Sequence, residues 1–193
     1  MVLYLSIISV CWLIFTTVFT FALSQPFWLI LLWIGLAILL IILVDGLTAT
    51  IVRLLPTMKD GKFFAVSKKE KTLYEKWQIR KWKDIIPEIG HFTGFRKNKL
   101  ADPKSVAYVE RFLLESRYGE VGHLLSCPTG GLIFLAQLIP VFPSYWWMLC
   151  IGVFVVNVLL NLPSYFVLRY NYYKLTVLHH ALLKKEKAAR AVA

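Results

Sequence analysis

Residues 1–44 read MVLYLSIISVCWLIFTTVFTFALSQPFWLILLWIGLAILLIILV and contain no Asp, Glu, Lys or Arg. A charge-free apolar run of this length reads as membrane-spanning, because hydrocarbon offers neither water for a charge nor a partner for an unpaired backbone group. Ser24-Gln25-Pro26 breaks the run and predicts two spans, near residues 2–23 and 27–44. Further along, residues 129–168 are charge-free again, and Pro143-Ser144 divides them. Residues 145–168 make a strong third span. Residues 131–142 are short and reach spanning length only by taking in residues 124–130. There a re-entrant segment competes with a full crossing.

The whole chain has 193 residues and is 58% apolar, 15% aromatic and 17% charged, with a mean hydropathy of +0.63. Soluble domains are about 45–50% apolar and about 25% charged. The excess excludes a secreted disulfide scaffold, a disordered tail and an ordinary soluble enzyme. The length fits one domain. The expected fold is all-α and integral to a membrane: a single domain over residues 1–193, with about four spans in two hairpins (2–23, 27–44, 124–142 and 145–168). A basic, partly helical segment, 45–123, lies between the hairpins, and residues 169–193 form a tail.

The net charge is +11. Its cations gather at Arg53, Lys59 and Lys62, at Arg111 and Arg117, and at Arg169 and Lys174. Four crossings put all of these on one side, so the positive-inside rule makes the termini and the central segment cytoplasmic. No basic residue precedes the first span, and its apolar run exceeds the about 7–15 residues of a signal peptide, so it reads as a retained helix. Cys11, Cys127 and Cys150 show no metal spacing and are odd in number, which argues for apolar filler rather than a disulfide framework. No repeat of solenoid period occurs, and the two hairpins share no motif that would mark an inverted-repeat transporter.

Chemistry is sought in the central segment and the last span. Residues 68–83, KKEKTLYEKWQIRKWK, set Leu73, Trp77, Ile79 and Trp82 among cations, a pattern suited to the headgroup zone. An interfacial anchor helix accounts for it. So does a binding surface in which Arg80, Lys81, Trp82 and Lys83 hold a phosphate-bearing donor or headgroup, and the two readings are compatible. Pro87, Gly90 and Gly94 then predict a shaped loop that carries Asp84, Glu88, His91, Arg96 and Lys97. His91 is a candidate base, oriented by Glu88, because imidazole suits proton transfer near neutrality.

Asp102-Pro103 reads as a cap and first turn of the next helix, whose apolar side is Val106, Val109, Phe112, Leu113, Val121 and Leu124. At about 100° per residue Glu110, Arg117 and Glu120 share roughly an 80° sector, with His123 beyond them. Solvated pairing explains them, and so does the polar wall of a site. Gly119 and Gly122 would allow close approach beside Glu120. In the last span Asn157, Asn161, Tyr165 and Arg169 form a stripe, and Asn171 follows at the boundary. Amides in a membrane helix turn toward partners in the bundle. Pro163 is expected to kink this helix. His179-His180 lacks companion ligands and reads as surface.

The ordered set Lys76-Trp77, Arg80-Lys81-Trp82-Lys83, Gly90-His91, Glu115 to Glu120 with His123, Asn161-Leu162-Pro163 and Arg169-Tyr170-Asn171 with Leu175 resembles the glycosyl-4,4'-diaponeurosporenoate acyltransferase family. The resemblance covers residues 73–175. It implies transfer of a fatty acyl chain onto a sugar hydroxyl of a glycosylated lipid, a carotenoid glycoside or another glycolipid, at the cytoplasmic face of a bacterial inner membrane. With it go an acyl-CoA or acyl-carrier-protein donor, no permanently bound cofactor, no metal and no nucleic-acid partner. On this reading His91 is the base, with Glu88 or Glu120 orienting it. Arg117, Arg169 and Asn161 are donors or polar wall, His123, Asn157, Tyr165 and Asn171 contact substrate, and Arg80, Lys81, Lys83, Arg96 and Lys97 receive phosphates. The chain has neither a His-x4-Asp box at His91 nor a Gly-x-Ser-x-Gly elbow, so direct transfer is expected rather than a serine intermediate. A methyltransferase-like or reductase-like membrane enzyme and a non-enzymatic scaffold for anionic lipid remain as alternatives.

Overall fold

The computed structural model describes residues 2–56, 64–86 and 100–192. His91, Glu88, Arg96 and Lys97 lie outside the described residues. The described chain is all-helical: α1 is Val2–Leu23, α2 Phe27–Leu54, α3 Lys68–Lys76, α4 Ile79–Trp82, α5 Val106–Thr129 and α6 Trp146–Val192, with a 3-10 helix, Gly130–Leu138, between α5 and α6. Four helical stretches are long and apolar enough to cross a membrane: Leu5–Leu23, Phe27–Leu54, Val106–Leu138 and Trp146–Ala191.

Several boundaries differ from expectation for local reasons. α2 continues past residue 44 to Leu54 and stops where Pro56 disfavours helix for the residue before it. Residues 68–83 are two helices rather than one. Ser67 Oγ caps α3 by accepting from the Glu70 amide at 3.1 Å, but Gln78 has a φ of 54°, in the left-handed region, and ends the run. The Trp82 indole then donates to the Trp77 carbonyl at 3.0 Å and fixes the corner. α5 is capped by Ser105, whose hydroxyl accepts from the Tyr108 amide at 3.2 Å, while Asp102 makes a separate turn to the Lys104 amide.

Pro128 and the Gly130-Gly131 pair explain the change from α5 to 3-10 geometry, since one lacks an amide hydrogen and the others lower helix propensity. The change also lengthens the segment. Residues 124–129 at about 1.5 Å each and the nine residues of the 3-10 helix at about 2.0 Å each span roughly 27 Å, near the thickness of a bilayer core. α6 is a single helix of 47 residues that continues through Pro163. At about 1.5 Å per residue it is more than twice as long as a bilayer core is thick.

The chain forms two compact units. Unit 1 is residues 1–51 and 122–162, and unit 2 is residues 52–121 and 163–193. Unit 1 contains one formally charged side chain, Asp45, and unit 2 contains all 22 Lys and Arg. The core of unit 1 is Ile30, Ile34, Ala37, Ile41, Ile133, Trp146, Leu149, Cys150 and Val153. Two of its indoles are satisfied internally, Trp12 donating to the Leu31 carbonyl and Trp146 to the Ile133 carbonyl, both at 3.0 Å. Large apolar side chains such as Phe21, Trp28 and Leu32 face outward, as lipid-facing residues do. Unit 2 has two cores. One joins Val52, Phe64, Val109, Phe112, Leu113, Tyr172 and Leu175, and the other joins Tyr74 and Ile79 to Val167 and Tyr170.

Candidate active site

Polar side chains collect in unit 1 around Asn161 of α6. Its Nδ2 donates to Asp45 Oδ2 of α2 at 3.3 Å, to the Asn157 carbonyl at 3.1 Å and to Asn157 Oδ1 at 2.8 Å. Three acceptors on that end fix the amide orientation, so Asn161 Oδ1 faces His123 of α5. Asn161 Oδ1 and His123 Nδ1 are 2.7 Å apart. Asn157 donates from Nδ2 to the Ser126 carbonyl at 3.1 Å, and Thr48 and Thr129 hydroxyls meet at 3.1 Å beside them. Asn157, Asn161 and Ser126 are buried. Asp45 Oδ1 is buried with no hydrogen-bond partner among the described residues.

This cluster depends on close backbone approach. A Cβ on Gly130 would lie 2.5 Å from Asn157 Nδ2 and 3.3 Å from Ile41 Cδ1. Asn157 also lines a narrow apolar cleft, part of it open to the surroundings, whose walls include Trp12, Phe15, Ile38, Val153 and Leu160.

In unit 2 the centre is Arg169 of α6. Its guanidinium grips Glu70 with Nε at 2.7 Å and Nη2 at 3.3 Å, and Nη1 donates to Glu120 Oε1 at 2.8 Å and to the Phe64 carbonyl at 3.2 Å. Arg169 is 12% exposed, Glu120 5% and Glu70 24%, so Glu120 and the guanidinium are withdrawn from solvent while Glu70 keeps partial access to it. Glu120 Oε2 has no hydrogen-bond partner among the described residues. Tyr74 donates its hydroxyl to Glu70 Oε1. Burial pulls the Glu70 pKa up, but the bonds from Arg169 and Tyr74 outweigh it and leave the carboxyl below its ordinary value. Burial and the neighbouring Glu70 carboxylate hold the Tyr74 phenol above its ordinary range.

The expected wall of α5 is thus shared among three partners. Glu120 meets Arg169, Arg117 Nε donates to the Tyr172 hydroxyl at 3.0 Å, and Glu110 meets His179 Nε2 at 3.0 Å. Arg117 also lies over the Phe64 ring at 5.6 Å. Tyr165 stacks edge-on against Phe166, and Asn171 is buried with Nδ2 unbonded among the described residues. A Cβ at Gly119 would meet the Leu168 side chain, whereas Gly122 has open space beside it.

Of the expected phosphate-binding residues, Arg80 lines a surface hollow with Lys71, Glu75, Tyr170, Tyr173 and Lys174. Lys71 sits 5.2 Å over the Tyr173 ring and Lys174 4.4 Å over that of Tyr170. Lys81 is exposed outside this lining, and Trp82 packs on the core of Tyr74 and Ile79.

The polar stripe of the last span therefore divides. Asn157 and Asn161 belong to the cluster of unit 1, and Arg169 to that of unit 2. Two participants escaped the sequence reading. Asp45 had a signal, as the lone charge after 44 uncharged residues. Glu70 had none, since one acid among lysines has many potential partners.

The family profile described as glycosyl-4,4'-diaponeurosporenoate acyltransferase matches residues 60–180, more than half of the chain. The chain belongs to this family. The matched stretch holds the α5 and α6 members of both clusters and excludes Asp45. The family's description gives it acyl transfer involving a glycosylated carotenoid acid. No curated protein and no solved structure matches the chain.

Proposed function

We propose that the chain moves a fatty acyl group onto a sugar hydroxyl of a glycosylated carotenoid, or of a closely similar glycolipid, at the cytoplasmic face of a bacterial inner membrane. The observation that carries this reading is the family match over residues 60–180. The chemistry of the site supports it. Acyl transfer to a hydroxyl needs a base for the departing proton and room for apolar chains beside polar groups. Unit 1 offers an apolar cleft lined in part by Asn157, which also belongs to a polar cluster containing an imidazole. The donor is a fatty acyl thioester on coenzyme A or an acidic carrier protein. The hollow of Lys71, Arg80 and Lys174 would receive its phosphates, as ammonium and guanidinium groups do. Transfer is direct, with a histidine as base.

Mass spectrometry of lipids from cells with and without the chain tests the reading. A glycosylated carotenoid heavier by one fatty acyl group, present only with the chain, is the expected result. A shift of methyl size, or an unchanged lipid profile, would overturn it.

A further inference from the structure

We propose that His123 is the proton acceptor of the transfer, held in its working tautomer by Asn161 and Asp45; this rests on the acyltransferase reading above. The amide of Asn161 sets the ring's hydrogen. Its nitrogen end is committed to Asp45 Oδ2, Asn157 Oδ1 and the Asn157 carbonyl, so its oxygen end must accept from the imidazole. His123 Nδ1 therefore carries the hydrogen in that 2.7 Å contact. In a neutral ring this leaves the lone pair on Nε2. Base, orienting amide and anchoring carboxyl come from three helices, α5, α6 and α2, so the ring is fixed from outside its own element.

Two further facts set the cluster apart from ordinary helix–helix bonding. Asp45 is the only formal charge of unit 1, and a carboxyl in so apolar a unit is costly unless it has a task. The apolar cleft also reaches the same cluster through Asn157.

The step balances. Nε2 takes the proton of the sugar hydroxyl as its oxygen bonds to the acyl carbonyl carbon. The carbon–sulfur bond of the thioester breaks, and the imidazolium returns the proton to the leaving thiolate. An ester and a thiol result, with no change in oxidation state.

The test uses the full chain in lipid vesicles with the glycosylated carotenoid acid as acceptor and a long-chain fatty acyl-CoA as donor. His123→Asn keeps a donor where Nδ1 stood but has no basic nitrogen. It is expected to lose at least about 100-fold in kcat, within the usual range for a general base, at an unchanged thermal midpoint. Added imidazole is expected to restore part of the activity of His123→Ala. Asp45→Asn and Asn161→Ala, as positioning variants, lower kcat with little change in KM. A His123→Asn variant within about threefold of wild type, above all if His91→Ala is inactive, would overturn the assignment while leaving the acyltransferase reading intact. A wild-type chain that forms no acyl ester would overturn both.

Discussion

Arg169 is held by acceptors from three other segments, Glu70 of α3, Glu120 of α5 and the Phe64 carbonyl. Removing Arg169 from such a set leaves the acceptors, Glu120 above all, without their donor, which costs more than the set contributes as a whole. Arg169→Ala is expected to destabilise the chain by about 3 kcal/mol, read as a lowered midpoint in detergent. Glu120→Gln added to that variant should recover part of the loss, because it neutralises a stranded carboxylate; a further drop would contradict this picture. Glu70 adds a pH dependence. Its carboxyl lies below the ordinary value of 4.5, so the folded chain favours the ionised form. That contribution is complete above the ordinary value and is lost as pH falls through the lower folded one. The midpoints of wild type and Glu70→Gln should therefore differ most near neutrality, and the gap should shrink as pH falls below the ordinary carboxylate value. A constant gap would sink the assignment. At this scale the sequence was half legible. Arg169 stood out as the first charge after a long uncharged run and Glu120 as part of the polar sector of α5, whereas their meeting beside Glu70 needed the fold.

The step from α5 into the 3-10 helix brings Gly130 against Asn157. Gly130→Ala would push the Asn157 amide off the Ser126 carbonyl. A lost buried hydrogen bond costs about 1 kcal/mol, and activity should fall further, since Asn157 also holds Asn161. Unchanged activity would show that this approach has slack. The helices themselves were legible because apolar runs and prolines mark them plainly. The break at Gln78 was not, because a non-glycine residue in the left-handed region leaves no compositional trace. Nor was the 3-10 stretch, where Pro128 and two glycines signalled disruption but not its geometry. The stretch around His91 lies outside the described residues, so its expected role stands on the sequence alone.

Over the whole molecule, charge divides with the two compact units: every Lys and Arg belongs to unit 2, and the charge-free parts of the four long apolar helical stretches belong to unit 1. This division was legible, since it follows from where charge is absent. It predicts topology through the positive-inside rule. In a chain otherwise free of cysteine, the thiol from Lys81→Cys should react with a membrane-impermeant reagent only after cells are opened, and that from Ser144→Cys before. The reverse pattern would put the basic unit outside and remove access to a cytosolic donor. Topology and site both serve the reaction itself. The most direct measurement supplies purified chain in vesicles with the glycosylated carotenoid acid and an isotopically labelled fatty acyl-CoA, then locates the label by fragmentation mass spectrometry. The predicted result is one labelled acyl group in ester linkage on the sugar; label that stays wholly in the thioester, or appears on any group other than a sugar hydroxyl, would contradict it.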